Sequence, residues 1–504
     1  MTRGGRQVVR ARGLSVLLVA ACTDASVAQG PARTNPSPDV RVEVNAAAAH
    51  QVMEGFGATT VSLIYANGAD DAVPAALRTR ATQALYGDVR LTLGNVSIGE
   101  FEPANDDPDP LHLNQAALEL PGLDTINRKL IAPARALGAD GLYPGNEISL
   151  STTAWLRPIR GADYDRYIEE CAEYVVAAVL KWRDVTGEIP RYHALFNEPL
   201  WGNKELDGGT TREMIDIVKR AGARLRSAGM PTKFIVPSEY SVALTTMLAR
   251  EILADPGARQ YVGAIGYHVY PYGSSYSSMP QILAGPGTGQ RDEAAVTERR
   301  VLRDLGRQYN LPVWMTEVSH GDRDPRSMDA LRARAMHIHD ELAYADAAAY
   351  FGMLAMWDSR SNREHFGPAR SLLAEDDALV LIDSDASSVL ITGTGYAIGH
   401  YARWVSRGAL RVETASSDSL VAVTAFTDNR RGRASFVIVN NADAPRTVRV
   451  HLNGLQFSGE LAGEQSYGNV RWQALGTVAL DGEAQDAFAV TVPGKSVTSV
   501  GGGY

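Results

Sequence analysis

Cysteine is scarce in this chain: Cys22 and Cys171 are the only two in 504 residues. Cys171 falls in a helical pattern running from Tyr164 to Val185, so a bond to Cys22 would tie a flexible tail to a helix. Cys171 is read instead as a buried thiol. Excess basic charge is also missing. With 49 Lys and Arg against 58 Asp and Glu, a formal net charge of −9 and a pI near 5.7, no nucleic-acid partner is expected. Beyond the N-terminus no apolar run is long and uninterrupted enough to cross a membrane. What is present is ordinary globular composition, 45% hydrophobic and 21% charged, in a chain too long for one small domain.

The first residues carry a basic region (Arg3, Arg6, Arg10, Arg12) followed by an apolar stretch from Leu14 to Ala21. That stretch is too short for a spanning helix, and residues 1–21 are read as a secretion signal. Their removal takes away four arginines and no acid, deepening the net charge from −9 to −13. Val19-Ala20-Ala21-Cys22 resembles a bacterial lipobox, which would leave a lipid anchor on Cys22. Ser26-Val27-Ala28 offers a competing small-x-small cleavage site. The lipobox is favoured because Cys22 follows the apolar run directly, and either cleavage implies export to the periplasm, the outer membrane or the exterior. Residues 22–38 are small, polar and Pro-containing, hence a linker.

From Gly55 to Trp357 short apolar runs alternate with longer amphipathic stretches. Strands are expected at Gly55–Leu63, Val89–Leu93, Gly141–Ser149, Tyr192–Asn197, Lys233–Pro237, Val262–Tyr270, Val313–Thr316 and Tyr350–Trp357. Helices fall between them, among them Leu123–Ala136, Arg212–Ser227, Glu298–Tyr309 and Met328–Ala345. Eight such units predict a (β/α)8 TIM barrel. Further on the period becomes two, as in Val421–Phe426, Ser435–Val439, Thr447–Leu452 and Ala487–Val492, which predicts an all-β sandwich. A lone strand near Val40 has nowhere else to pair, so residues 39–54 are expected to join that sandwich. The barrel is expected over 55–395 and the sandwich over 396–504.

Two barrel strands end abruptly in a glutamate. His193-Ala194-Leu195-Phe196 leads through Asn197 to Glu198, and Leu311-Pro312-Val313-Trp314-Met315 leads through Thr316 to Glu317. Catalytic groups of such barrels sit at the C-terminal strand ends. Retaining glycoside hydrolysis needs two carboxyls about 5–5.5 Å apart, one protonated and one ionised. A glutamate at a strand end can equally pair with an arginine. Two of them, on the fourth and seventh strands, favour the catalytic reading.

Several further segments resemble glycoside hydrolase family 30, of the clan A retaining β-glycosidases. They are Met53-Glu54-Gly55-Phe56-Gly57-Ala58, Val89-Arg90-Leu91, Phe196-Asn197-Glu198-Pro199, Pro237-Ser238-Glu239, Gly266-Tyr267-His268-Val269-Tyr270 and Trp314-Met315-Thr316-Glu317. Tyr396-Ala397-Ile398-Gly399-His400-Tyr401-Ala402-Arg403 and Val492-Pro493-Gly494-Lys495-Ser496-Val497-Thr498 are similar too. The resemblance implies Glu198 as general acid/base and Glu317 as nucleophile. It also implies substrate-binding roles for Asn197 (on the sugar 2-OH), Arg90 (keeping Glu317 ionised), His268, Tyr270 (on the nucleophile's oxygen), Trp357 (under the sugar), Trp155 and Trp201. One departure stands out: where the family's third strand ends in a Ser-Pro-Trp-Ser-type segment, this chain has Leu150 in place of the first tryptophan.

The loops contribute hints. Glu102, Asp106, Asp107 and Asp109 make a solvated acidic loop without metal-ligand spacing. Tyr272, Tyr276 and Trp201 could line sugar subsites, and Arg360 and Arg363 follow Trp357. Gly494-Lys495-Ser496 is not a phosphate loop, because the earlier glycine it needs is Ala489. His337 and His339, two apart on a helix, cannot share a metal. No metal or cofactor is expected. The expectation is an exported retaining β-glycoside hydrolase with a carbohydrate substrate, xylan ahead of β-1,6-glucan. Its rivals are a non-catalytic carbohydrate-binding lipoprotein and a transglycosylase on the same site.

Overall fold

The computed structural model describes residues 39–60, 73–97, 121–145, 156–200, 209–269, 292–318, 324–358, 378–481 and 484–504. The expected signal (1–21) and linker (22–38) with Cys22, the acidic loop, Leu150, Trp155, Trp201, Tyr270, Tyr272, Tyr276, Arg360 and Arg363 lie outside the described residues.

The alternation in Asp39–Val52 (β1) buries Val40, Val42 and Val44 on one face. Eight strands follow in chain order: β2 (Gly55–Thr60), β3 (Leu93–Ser97), β4 (Gly141–Gly145), β5 (Tyr192–Ala194), β6 (Lys233–Glu239), β7 (Val262–Val269), β8 (Val313–Val318) and β9 (Ala347–Met353). They form a closed barrel in which β9 pairs in parallel with β2, Gly55 opposite Ala349. The fold is a (β/α)8 barrel, as expected. Inward-facing Leu93, Tyr143, Tyr192, Ile235, Trp314 and Phe351 fill its interior as a packed plug. Trp314 lies 4.7 Å from Tyr192 and 5.9 Å from Phe351, ring centre to ring centre. Gly57 makes room for that plug, because a Cβ there would stand 2.8 Å from Phe351 and from Leu93.

The helices follow their capping signals. Tyr164–Thr186 starts at Asp163, whose carboxylate accepts from the Arg166 amide, and stops at Gly187, where φ is +76°. Cys171 is a buried free thiol inside it.

After the barrel, β10 (Met356–Asp358), β11 (Val380–Asp383) and β12 (Ser388–Ile391) make a three-stranded sheet. The last eight strands are β13 (Leu410–Ser416), β14 (Val421–Asp428), β15 (Arg433–Asn440), β16 (Arg446–Asn453), β17 (Leu461–Tyr467), β18 (Val470–Val478), β19 (Ala487–Val492) and β20 (Ser496–Gly503). They join β1 in one nine-stranded sheet, ordered β18-β17-β20-β15-β14-β13-β1-β16-β19. The early strand therefore pairs where expected, antiparallel to β13 and parallel to β16. Period-two patterning splits the faces. Phe436 and Ile438 of β15 pack with Phe457, Phe488 and the β1 valines, while Val437 and Val439 pack into the barrel's core. Ser37–Tyr504 accordingly form one compact unit.

Three expectations shift. The expected domain edge at 395/396 falls inside the helix Gly393–Ala402, which packs against the helix Met328–Tyr344, and the first sandwich strand begins at Leu410. The eighth barrel strand ends at Met353, so Trp357 belongs to the three-stranded sheet. The second barrel strand begins at Leu93 instead of Val89. Val89 and Leu91 are buried because they close the preceding helical segment, donating to the Ala84 and Leu85 carbonyls. Their alternation imitates a strand while the true one contains Gly94 and Asn95, both poor strand formers.

Candidate active site

Glu198 sits four residues past β5, and Glu317 is the fifth residue of β8. Both rise at the C-terminal end of the barrel, half-buried. Glu198 has φ +44° and its amide donates to the Ser238 carbonyl at 2.9 Å, which holds the turn that aims the carboxyl inward. Glu239, fully buried at the end of β6, accepts from the Leu200 amide at 2.9 Å and the Tyr240 amide at 3.1 Å. It thereby fixes the loop leaving Glu198. Burial raises the Glu239 pKa, and these amides oppose the rise.

His268 on β7 stands between the two carboxyls. Its Nδ1 lies 2.9 Å from Glu198 Oε1 and its Nε2 3.9 Å from Glu317 Oε2. One oxygen of each carboxyl and one ring nitrogen of His268 all lie within 4.8 Å of one another. Burial by itself disfavours the imidazolium, but the charge of Glu317, together with the hydrogen bond and charge of Glu198, raises its pKa to about 8. At neutral pH His268 is therefore a cation that donates to Glu198. Asn197 lines the same cleft, with Asn95, Tyr143, Phe196, Ser238 and Thr316. The Thr316 hydroxyl donates to the Tyr267 carbonyl at 3.2 Å and ties β8 to β7 beneath Glu317.

Glu198, Glu317, Asn197 and His268 are thus brought together. Arg90 is not. It is exposed, has φ +65°, and lines a different cleft beside Thr92 and Asp140, which precede β3 and β4 at the barrel's N-terminal end. The second-strand residue in the active cleft is Asn95, which the sequence reading missed. An asparagine placed two residues into a strand was the available signal. Trp357 is 5% exposed and packs with Leu354, Ala378 and Leu381. It is absent from the cleft's lining among the described residues. His337 and His339 turn to different partners, Tyr350 Oη at 2.8 Å and Thr424 Oγ1 at 2.7 Å.

Solved structures resemble this chain over nearly its whole length. A family 30 subfamily 8 xylanase from Clostridium acetobutylicum aligns with TM-score 0.65 and 20% identity, covering 92% of this chain and 100% of that one. The chain shares its fold with glycoside hydrolases of family 30. An endo-β1,6-glucanase aligns with TM-score 0.59 and 20% identity over 92% and 94% of the two chains. A family 51 α-L-arabinofuranosidase from Bifidobacterium longum aligns with TM-score 0.59 and 12% identity over 92% and 99%. No family model and no curated protein matches the sequence. One architecture thus spans enzymes of different linkage and sugar, and function has to be argued from the site.

Proposed function

We propose that this protein is an exported retaining β-glycoside hydrolase. The observation that carries the reading is the approach of Glu198 and Glu317 oxygens to within 4.8 Å. Inverting enzymes separate the carboxyls by roughly 6.5–9.5 Å to admit a water, whereas retaining ones use about 5–5.5 Å.

Glu317 attacks the anomeric carbon while Glu198 passes to the departing glycosidic oxygen the proton it shares with His268 across their 2.9 Å hydrogen bond, leaving a glycosyl ester on Glu317. Glu198 then takes a proton from water, which attacks the same carbon, breaks the ester and restores both carboxyls. His268 stabilises the negative charge as it moves, since its N–H points at Glu198 and its second nitrogen faces Glu317. Asn197, which lines the cleft with Glu317 and His268, suits the sugar 2-OH, a contact that strengthens in the oxocarbenium-like transition state.

The substrate favoured is a β-linked polysaccharide, xylan ahead of β-1,6-glucan, in keeping with the names of the xylanase and glucanase that share the fold. Export is supported by the basic-then-apolar segment of residues 1–21, and an anchor by the lipobox-like run at Cys22. The test is sugar release from a panel of β-linked polysaccharides and aryl glycosides, with Glu317→Ala alongside. Release by the wild type that falls by about 10⁴-fold or more in the variant is expected. Binding without release by either protein would replace the hydrolase by a recognition protein.

A further inference from the structure

Five arginines, Arg90, Arg403, Arg407, Arg431 and Arg433, converge on one cleft at the end of the barrel opposite the two glutamates, where β3 and β4 begin and the sandwich abuts. Their concentration is unexpected in a chain of net charge −9. Three of them are held in place by carboxylates. Arg403 meets Glu464 at 3.0 Å, Arg407 meets Glu54 and Asp140 at 3.1 Å each, and Arg431 meets Asp428 at 2.9 Å. Arg90 and Arg433 are exposed and have no carboxylate partner among the described residues. Among the described residues, Asp140 is the single carboxylate that itself lines the cleft. Arg90 is also kept at φ +65°, a conformation that costs a non-glycine residue free energy.

The remaining lining gives the ligand its class. Trp404 borders the cleft, and its indole N–H is fixed on Glu464 at 2.7 Å, so the ring is held rigidly beside the guanidiniums. A fixed aromatic ring suits the apolar face of a pyranose, and guanidinium is the group that recognises carboxylate in a planar, two-pronged way. We propose that this cleft is a second, non-catalytic binding site for an acidic saccharide, with a uronate carboxylate held by Arg90 and Arg433 and its sugar ring against Trp404. The site would hold an acidic polymer on the protein while the opposite face acts on it or on a neighbouring chain.

The experiment is affinity electrophoresis of the full chain, carrying Glu317→Gln to prevent turnover, through gels containing polygalacturonate, glucuronoxylan or unsubstituted neutral xylan. The two acidic polymers are expected to retard the protein more than the neutral one. Adding Arg90→Gln and Arg433→Gln should weaken that retardation about tenfold or more. Both positions are exposed, so thermal unfolding of the double variant should match its parent, and turnover of a small aryl glycoside in the Glu317 background should be unchanged. Retardation that survives the double substitution, that is equal in neutral polymer, or that inorganic phosphate abolishes at equal anion concentration would each overturn the acidic-saccharide site. Because binding is read in an inactive variant, failure of the hydrolase reading leaves this test standing.

Discussion

His268 is the group whose removal tests the electrostatics of the active site most directly. In His268→Asn the shape is roughly kept while the cation between Glu198 and Glu317 disappears. At the observed 3.9 Å from Glu317, attraction between unit charges is about 1 kcal/mol with the screening of bulk water and about 4 kcal/mol at the effective dielectric usual near a protein surface. His268 is 3% exposed, which places it toward the upper figure. Because the charge on Glu317 is consumed as it attacks, that attraction serves to keep the nucleophile ionised. The rate loss in the variant comes from removing the donor on Glu198, and should be roughly 10- to 1,000-fold in kcat/KM on an unactivated substrate. The pH profile supplies the sharper test. The folded-state pKa, about 8, lies above the ordinary 6.5, so the imidazolium is fully present below pH 6.5 and disappears as pH rises through about 8. Wild-type activity should fall on that alkaline side, and stability should fall with it by about 2 kcal/mol. The Asn variant should show neither slope. Activity within twofold of wild type, with the alkaline limb unmoved, would refute the argument.

Glu198→Ala should retain glycosylation of substrates whose leaving group needs no proton, such as dinitrophenyl glycosides, while losing natural polymers; equal loss on both would refute the acid/base assignment. Glu341, completely buried, accepts from Arg299 at 2.5 Å and Tyr267 at 2.7 Å. Glu341→Gln leaves the Arg299 charge uncompensated and should cost about 3–5 kcal/mol in denaturant unfolding, with a loss below about 1 kcal/mol counting against the pair. Burial acts to raise the Glu341 pKa, but Arg299 and His337 bring it down to about 2. Its stabilisation is therefore present above the ordinary 4.5 and lost as pH falls toward 2, an acid-side slope the variant should lack. Val42→Asp puts a charge where β1 is fully buried between β13 and β16, and should unfold the sandwich; a soluble variant with wild-type melting would exclude β1 as a structural strand.

Much of this protein was legible along the chain because the signals concerned are local. Apolar runs with intervening amphipathic helices gave the barrel's strand count, and period-two valines placed β1 with the C-terminal strands. Glu198 and Glu317 announced themselves as polar residues ending apolar runs, which is what a strand leaving a packed barrel interior looks like. Local pattern also misled, most plainly at the second barrel strand. Val89, Arg90 and Leu91 alternate as a strand would, but the alternation comes from a chain closing the end of a helical segment, and Arg90 faces the opposite end of the barrel. Only the closed barrel could decide that Asn95 takes the place in the cleft, because a shift of four residues along one strand is invisible until neighbouring strands fix its register. The approach of the carboxyls to within 4.8 Å and the insertion of His268 between them are likewise tertiary. They join residues from β7, β8 and the turn after β5, about 50 to 120 positions apart in the chain. Sequence alone determined which chemical groups the protein owns and on which kind of element each sits. The distances that set their charges, and hence their chemistry, came from the closure of the barrel.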